Sequence, residues 1–240
     1  MSLADGLYAV VQTAAITLPT WLDGVTGRLT FERADRRLAR WADKLVRRAR
    51  IDLHVHGADA VDWSRSYVIM SNHQSHYDIP MIYAVARGTV RMVAKAEFFR
   101  VPFWGKAMRD AGMIFVDRSD HAKAVASLRA AAETMQRGVN VWIAPEGTRS
   151  RTGKVGPLKK GGFHLAVDTG TPILPVAIAG TRRVLPPDTV NIRRGLRVDV
   201  ALGAPIPVAG RSAEVLMADF LAFLGRHLDL EDGTWRDTTT

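Results

Sequence analysis

The residues with the clearest chemical potential are a histidine and an aspartate five positions apart. His73 and Asp78 lie in residues 72–78, whose sequence is NHQSHYD. An imidazole can take a proton from a hydroxyl group, and a carboxylate on its other ring nitrogen orients it and stabilises the imidazolium. On one continuous helix, five residues correspond to a rotation of about 140°, so the two side chains would face apart. They can meet only if a turn lies between them.

The flanking segments predict such a turn. Residues 67–70 are apolar, as in a buried strand, and residues 79–86 have the pattern of an amphipathic helix. A turn from strand to helix lets a side chain project from a rigid scaffold into a cleft. Ser75 and Asp78 also match a capping box, with Asp78 in the first helical turn and His73 on the loop before it. This segment alone is equally consistent with a helix cap and with a catalytic pair.

Composition narrows the classes of function. The chain has 240 residues, 47% of them hydrophobic, which is enough to bury a sizeable core. It has no cysteine, which excludes disulfides, thiolate metal sites and a cysteine nucleophile. The formal net charge of +9 predicts an anionic partner, which could be nucleic acid, a phosphorylated substrate or an anionic membrane.

The first fifty residues predict a helical segment at a membrane surface. Residues 6–22 are uncharged, but they fall short of the roughly 20 apolar residues of a membrane span. We expect an interfacial or re-entrant segment there, not a spanning helix or a cleaved signal peptide, with a packed core helix as the alternative. Residues 28–50 hold nine basic and three acidic side chains, beside an apolar helical stripe that includes Trp41. This pattern predicts contact with anionic lipids, and a solvated helix, calmodulin-like binding or nucleic-acid binding are the alternatives.

After residue 51, short β-like runs alternate with helical segments. The alternation predicts an α/β domain over residues 51–240, with a mostly parallel central sheet flanked by helices, after the membrane-surface segment 1–50. Predicted strands cover residues 51–56, 67–70, 90–94, 113–116, 139–144, 173–178 and 196–202, and predicted helices cover 75–86, 98–111, 121–137, 161–167 and 213–227. The polar tail 229–240 is expected to fray.

Two further strand ends carry charged residues. Arg118 follows the strand 113–116, and Arg149 lies in residues 145–150, PEGTRS, after the strand 139–144. In a parallel sheet, functional side chains gather at the carboxyl ends of the strands. Two arginines there could fork onto the oxygens of a phosphate, whereas a surface ion pair is the alternative for each one alone.

Several other chemistries lack their motifs. The chain has no G-x-S-x-G serine elbow, no P-loop and no G-x-G-x-x-G dinucleotide motif. His54 and His56 alternate along one predicted strand and are interpreted as a polar strand face, because no further ligand cluster lies nearby. A base at His73 would therefore most simply activate a hydroxyl group of the substrate itself.

Taken together, these blocks resemble the glycerolipid acyltransferases typified by 1-acyl-sn-glycerol-3-phosphate acyltransferase. Residues 72–78 are similar to the family's His-x4-Asp motif, and residues 112–118 are similar to its second block. Residues 144–150 are similar to its Pro-Glu-Gly-Thr-Arg block, and residues 173–178 are similar to its fourth block. Two shorter stretches, 95–97 and 159–161, also resemble the family. The resemblance runs from about residue 67 to 178 with the blocks in family order. Ala144 departs from the aromatic residue common before Pro-Glu-Gly, which leaves Glu146 and Arg149 in place.

The resemblance implies transfer of a fatty acyl group from acyl-CoA or acyl carrier protein to the free hydroxyl of 1-acyl-sn-glycerol 3-phosphate, which gives phosphatidic acid. It implies His73 as the general base and Asp78 as its partner, with no acyl-enzyme. The implied substrate contacts are Arg118 and Arg149 to the phosphate, Glu146 and Gly147 to the glycerol, and Lys95 to the phosphate or the thioester oxyanion.

The resemblance also bears on partners and location. It implies no cofactor beyond the acyl thioester co-substrate, no metal, and a membrane surface with anionic lipids in place of nucleic acid. We expect a peripheral or monotopic protein on the cytoplasmic face of the cell membrane. Another acceptor, such as a lyso-ornithine lipid, a glycolipid, glycerol 3-phosphate or a lysophospholipid, is the alternative, and a non-catalytic lipid-binding protein of the same fold is a further one.

Overall fold

The alternating pattern forms a seven-stranded sheet with helices packed on it. The computed structural model describes residues 3–116, 127 and 131–237. The strands of this part of the chain are β1 (Asp52–His56), β2 (Val68–Ser71), β3 (Val90–Lys95), β4 (Ile114–Val116), β5 (Asn140–Ile143), β6 (Ile173–Ala179) and β7 (Arg197–Leu202), in the spatial order β1-β7-β6-β2-β5-β3-β4. Strands β6, β2, β5, β3 and β4 run parallel, and only the β6–β7 pairing is antiparallel among the described strands. The predicted α/β class with a mostly parallel sheet is confirmed.

The described helices cover the ends and faces of this sheet. They are α1 (Leu3–Val25), α2 (Phe31–Arg48), α3 (Asp78–Val85), α4 (Trp104–Asp110), α5 (Gly161–Thr169), α6 (Thr181–Val184) and α7 (Ala213–His227), with 3-10 turns at Ala58–Ala60 and Ala96–Arg100. The predicted helix 98–111 starts late because Pro102 disfavours a helical conformation at Val101, which is extended. Of the predicted helix 121–137, residues 131–135 are helical, and residues 121–126 and 128–130 lie outside the described residues.

The core has one layer on each face of the sheet, because side chains alternate along each strand. Val68 and Met70 of β2 belong to the buried cluster that includes Phe163 of α5 and Phe220 of α7. The intervening Ile69 belongs to the opposite cluster, which includes side chains of α3. Both faces of β2 are therefore buried, and this strand leads directly into the turn that carries His73.

The two N-terminal helices pack on the α/β domain through charged contacts. Asp5 of α1 is buried and accepts hydrogen bonds from Arg48 of α2 and from Arg194. The buried Arg91 of β3 forms an ion pair of 2.5 Å with Asp35 of α2. These contacts hold α1 and α2 against the α/β domain. In the part of the chain that the structure describes, no helix combines the length and the apolar character needed to cross a membrane.

Residues 228–236 form a hairpin, so the prediction that the tail 229–240 frays is wrong for residues 229–236. Leu228 and Trp235 form an antiparallel bridge, and the Asp229 amide donates to the Thr234 carbonyl at 2.8 Å. We refer to residues 228–236 as the C-terminal hairpin. Composition misled here because the polar side chains themselves close the turn: Asp229 Oδ1 accepts the Glu231 amide and Asp232 Oδ1 accepts the Thr234 amide, both at 2.8 Å.

Candidate active site

The turn after β2 brings His73 and Asp78 into contact. β2 ends at Ser71 and α3 begins at Asp78, so the five-residue separation spans a loop and not a helix. His73 Nδ1 lies 2.7 Å from Asp78 Oδ2. The Asp78 side chain is fully buried, and the His73 side chain is 18% exposed. A carboxylate at Nδ1 selects the tautomer protonated there, which leaves Nε2 as the basic nitrogen.

The Asp78 carboxylate is held by three further donors. Its Oδ2 accepts the backbone N–H groups of Gln74 at 2.7 Å and Ser75 at 2.9 Å, and its Oδ1 accepts the Thr181 hydroxyl at 2.5 Å. A buried charge is tolerated only when such donors replace the lost water. The carboxylate is therefore fixed in position as well as solvated by the protein.

The helix cap and the histidine contact use the same carboxylate. The bond from the Ser75 amide to Asp78 is one half of the predicted capping box. The other half differs, because Ser75 Oγ accepts the Tyr77 amide at 3.1 Å and donates to the Leu185 carbonyl at 2.8 Å. The contact with His73 and the retained half of the capping box thus use the same carboxylate oxygen, Asp78 Oδ2.

Asn72 fastens the start of the turn to the neighbouring strand. Its side chain is buried, donates to the Ile178 carbonyl and accepts the Ile178 amide, both at 2.8 Å. These bonds continue the pairing between β2 and β6 past Ser71. Because only Gly180 separates Thr181 from the end of β6, the same strand end positions the donor to Asp78.

Glu146 supports the backbone of His73 from the end of β5. Its side chain is 5% exposed; Oε1 accepts the His73 amide at 2.7 Å, and Oε2 accepts the Gly156 amide at 2.8 Å. The Ser150 amide in turn donates to the His73 carbonyl at 2.7 Å. Burial raises the pKa of Glu146, an effect that the two amide bonds oppose. The residues 145–150 therefore hold His73 on both sides of its peptide unit.

Gly147 and Arg149 lie on the same loop. Gly147 has φ of +74°, and its amide donates to the Ala144 carbonyl at 3.0 Å, which closes a tight turn. Arg149 is half-buried and forms no hydrogen bond or ion pair with the described residues. Although part of the His76 ring is exposed, loss of solvation and then the charge of Arg149 lower the His76 pKa to about 4. His76 is therefore neutral at neutral pH.

The remaining predicted contacts lie at the ends of β3 and β4. Lys95 is exposed at the last position of β3, where it pairs in register with Val116 of β4. Arg118, two residues further along, lies outside the described residues. Since β2, β5, β3 and β4 are parallel, Lys95 lies at the same carboxyl-terminal end of the sheet as His73 and Glu146.

Sequence reasoning missed Thr181, Asn72 and Gly156. Thr181 was detectable in principle, because it lies three residues after the end of the predicted strand 173–178, where functional groups gather. The roles of Asn72 and Gly156 depend on which strand lies beside β2 and on the path of the loop after β5. No local pattern signals either contact.

This arrangement can perform base catalysis. His73 Nε2 has no hydrogen-bond partner among the described residues, and the Trp142 ring borders the imidazole edge-to-face at 6.2 Å. A neutral imidazole with Nδ1 on a buried carboxylate and Nε2 open can accept a hydroxyl proton. Among the residues that the structure describes, no group of three or more His, Asp or Glu side chains could hold a metal ion.

Comparison with known proteins relates the chain to acyltransferases. Residues 52–179 match the family model described as Acyltransferase. The chloroplastic 1-acyl-sn-glycerol-3-phosphate acyltransferase BAT2 of Brassica napus is 34% identical over 62% of this chain and 42% of its own length. The alpha form of Bos taurus is 34% identical over 67% and 56%, and the Salmonella typhimurium protein is 33% identical over 57% and 54%. The chain thus spans about half the length of the curated relatives it matches.

A solved structure extends the match beyond the family model. The crystal structure of the 1-acyl-sn-glycerophosphate (LPA) acyltransferase PlsC from Thermotoga maritima superposes with a TM-score of 0.72 at 25% sequence identity. The superposition covers 91% of this chain and 95% of that one. The resemblance predicted from the sequence blocks is confirmed, and the chain belongs to the acyltransferase family.

Proposed function

We propose that this protein is an O-acyltransferase that uses 1-acyl-sn-glycerol 3-phosphate as acceptor and acyl-CoA or acyl carrier protein as donor. The product is phosphatidic acid. The observation that carries the proposal is the 2.7 Å contact of His73 Nδ1 with the buried Asp78, which leaves Nε2 open. The names of the relatives at 33% and 34% identity support the choice of acceptor.

The reaction needs no covalent enzyme intermediate. His73 Nε2 takes the proton of the free glycerol hydroxyl as that oxygen attacks the thioester carbonyl carbon. Asp78 stabilises the imidazolium that forms, and three fixed donors keep the carboxylate in place. The tetrahedral intermediate then breaks its carbon–sulfur bond, and the imidazolium returns the proton to the departing thiolate.

The acceptor phosphate binds to Arg149 and Arg118 in this proposal. Arg149 suits the role because its guanidinium forms no ion pair among the described residues, and a phosphate accepts two parallel bonds from it. Lys95 ends the neighbouring strand and contacts the phosphate or the thioester oxyanion. Gly147 and Glu146 position the glycerol, with Glu146 acting largely through the His73 backbone that it holds.

Residues 1–50 form the membrane-surface segment in this proposal, and residues 51–240 form the catalytic domain. The exposed apolar side chains of α1 lie within about 120° of one another on one helical face; they are Leu7, Val10, Val11, Leu18, Leu22 and Val25. The opposite face carries the buried Asp5 and Thr20 and packs on the protein. An exposed apolar stripe of this length suits insertion into a bilayer surface.

A neighbouring segment of the catalytic domain extends this apolar face. Phe103 is 53% exposed and contacts the Trp21 ring of α1 edge-to-face at 5.1 Å. Its φ of +60° is unusual for a non-glycine residue. We propose that this surface binds a membrane peripherally or monotopically from the cytoplasmic face. Exposed basic side chains of α2, such as Arg36 and Arg47, support the choice of an anionic leaflet.

The test is acyl transfer by purified protein from oleoyl-CoA to 1-acyl-sn-glycerol 3-phosphate. His73→Ala should lower kcat by roughly 10²- to 10⁴-fold, the usual contribution of a general base. His54→Ala is the matched control, because His54 is partly exposed on β1 and bonds only to Asp52 among described side chains. Wild-type inactivity with this acceptor, together with activity on another lyso-lipid or on glycerol 3-phosphate, would reject the proposed acceptor.

A further inference from the structure

The C-terminal hairpin touches both segments that form the candidate active site. The Leu230 carbonyl accepts the Val155 amide at 2.8 Å, on the loop after β5. The Gly233 carbonyl accepts Gln74 Nε2 at 3.1 Å, and Gln74 is buried beside His73. The hairpin is therefore bonded to the His73 turn and to the loop that supports it.

The contact between hairpin and loop leaves no room for side chains. A methyl group at Gly153 would lie 1.8 Å from the Asp232 carbonyl oxygen, and one at Gly233 would lie 1.9 Å from Gln74 Nε2. The same methyl at Gly233 would lie 2.5 Å from the Gly153 carbonyl oxygen. Both glycines also have positive φ, at +102° and +69°. Backbone thus packs directly on backbone, so the loop conformation depends on the hairpin.

Each hairpin contact is made by a residue that itself holds the catalytic pair or by the neighbour of such a residue. Val155 precedes Gly156, whose amide bonds the Glu146 carboxylate that also accepts the His73 amide. The Gln74 side chain bonds the hairpin, and the Gln74 backbone amide bonds Asp78 Oδ2 at 2.7 Å. A shift of the hairpin would therefore change the position of His73 and of Asp78 together.

A stack of aromatic rings anchors the hairpin. The Trp235 ring stacks on His56 of β1 at 4.8 Å and on His227 of α7 at 5.5 Å. Leu228 pairs with Trp235, and the Arg236 amide donates to the His227 carbonyl at 2.8 Å. The exposed ion pair between Lys154 and Glu231 adds little, since such pairs contribute at most about 1 kcal/mol.

We propose that the C-terminal hairpin is a positioning element of the active site and that Gln74 is the residue through which it acts. It touches no substrate. The bond from Gln74 to Gly233 and the bond from Val155 to Leu230 hold the turn in the geometry in which His73 meets Asp78. The inference rests on the proposed function for its kinetic readout but not for its spectroscopic one.

The first test compares alanine variants of two glycines that have the same backbone φ. Gly233→Ala introduces a methyl at φ of +69° against Gln74, whereas Gly210→Ala does so at the same φ with nothing within 4 Å. Backbone strain is thus matched, and only the contact differs. We expect Gly233→Ala to lower kcat at least tenfold with KM within twofold, and Gly210→Ala to leave kcat within twofold. Equal kcat in the two variants, whatever their Tm, would overturn the proposal.

The second test uses Gln74→Met, which keeps the length of the side chain and removes its donor. It should lower kcat by a similar factor, and the double variant with Gly233→Ala should lose no more than the larger single loss. Independent action would make the two losses multiply. Gln74→Met also carries the test if Gly233→Ala does not fold, and unchanged kcat in Gln74→Met would refute the inference.

A spectroscopic readout separates this inference from the proposed function. The proton on His73 Nδ1 is followed by NMR as a downfield signal that is absent in Asp78→Ala. We expect the signal to move or broaden in Gln74→Met and to remain in Gly210→Ala. Such a change in a protein that acylates no lyso-lipid would reject the proposed function and keep the inference. An unchanged signal and unchanged kcat in an active enzyme would reject the inference alone.

Discussion

His73 Nδ1 lies 2.7 Å from Asp78 Oδ2 because the chain changes from strand to helix between the two residues. A continuous helix would turn them about 140° apart. The carboxylate is at the same time the acceptor for the Ser75 amide at the start of the helix. Helix capping and orientation of the imidazole are therefore performed by one group, and changes to either are expected to affect both.

Asp78→Asn should abolish most of the activity while preserving the size of the side chain. The amide has a single acceptor oxygen, so it cannot serve all four donors around the carboxylate or hold the same histidine tautomer. By analogy with the buried aspartate of serine proteases, we expect kcat to fall by about 10⁴-fold. Steady-state kinetics measures this, with Asp52→Asn as control, because the exposed Asp52 forms the same kind of bond to His54 on β1. An Asp78→Asn variant within tenfold of the wild type would contradict the role of the carboxylate.

Thr181→Val should weaken both stability and catalysis. The variant leaves Asp78 Oδ1 without its buried hydroxyl donor, which costs about 1 to 3 kcal/mol of unfolding free energy. Thr181→Ser keeps the hydroxyl and should restore kcat to within about threefold of the wild type. Urea unfolding and kcat are measured on both variants. If Thr181→Ser is as impaired as Thr181→Val, the hydroxyl is not the reason.

Glu146→Gln should disturb the support of His73. Both carboxylate oxygens accept backbone amides, so the amide nitrogen of glutamine would face an N–H donor. We expect a loss of about 1 to 3 kcal/mol in the free energy of unfolding, with a lower kcat. Glu146→Asp, which keeps two acceptors on a shorter side chain, is the control for loss of the acceptor.

The raised pKa of Glu146 predicts a pH dependence of stability. The pKa of its carboxyl group is higher in the folded protein than the usual value of 4.5. The stabilisation from protonation is therefore complete below pH 4.5 and is lost as the pH rises through the raised value. In the wild type, this group should lower the free energy of unfolding as the pH is raised above 4.5. The contribution should be missing in Glu146→Gln, and identical pH profiles would contradict the prediction.

Arg149→Ala should raise KM for 1-acyl-sn-glycerol 3-phosphate and leave KM for oleoyl-CoA within about twofold. The expected rise is about 10- to 100-fold, because charge-assisted bonds to phosphate contribute about 1.5 to 3 kcal/mol. The same variant removes one of the causes that lower the His76 pKa to about 4, so NMR titration should find that pKa higher. A higher His76 pKa with unchanged KM would place Arg149 near the turn but not on the phosphate.

The apolar stripe of α1 should determine binding to vesicles. Leu18→Glu with Leu22→Glu replaces two exposed leucines of the stripe. Burial of each leucine is worth about 1.5 to 3 kcal/mol, so the bound fraction on phosphatidylglycerol vesicles should fall at least about tenfold in flotation. Val215→Glu is the control, because Val215 is similarly exposed on α7, on the other face of the sheet. Equal flotation of the double leucine variant and the Val215→Glu control would reject α1 as the membrane contact.

Local elements and chemical groups were predictable from the sequence to a large degree. All seven described strands begin and end within one residue of their predicted bounds. Apolar runs bounded by turn residues carry that information locally. The start of α3 was predicted at residue 75 and lies at Asp78, because residues 75–77 form the turn that capping requires. The contact of His73 with Asp78 was predictable as one of two possibilities for the same stretch.

The sequence by itself determined which residue types stand at the strand ends, since periodicity and turn chemistry act over a few neighbouring residues. Only the tertiary structure decided which of them meet. Glu146 reaches the His73 amide across 73 positions, Thr181 reaches Asp78 across 103, and Gly233 reaches Gln74 across 159. Such contacts depend on strand order and register. These are set by how the whole core packs, and no local pattern encodes them.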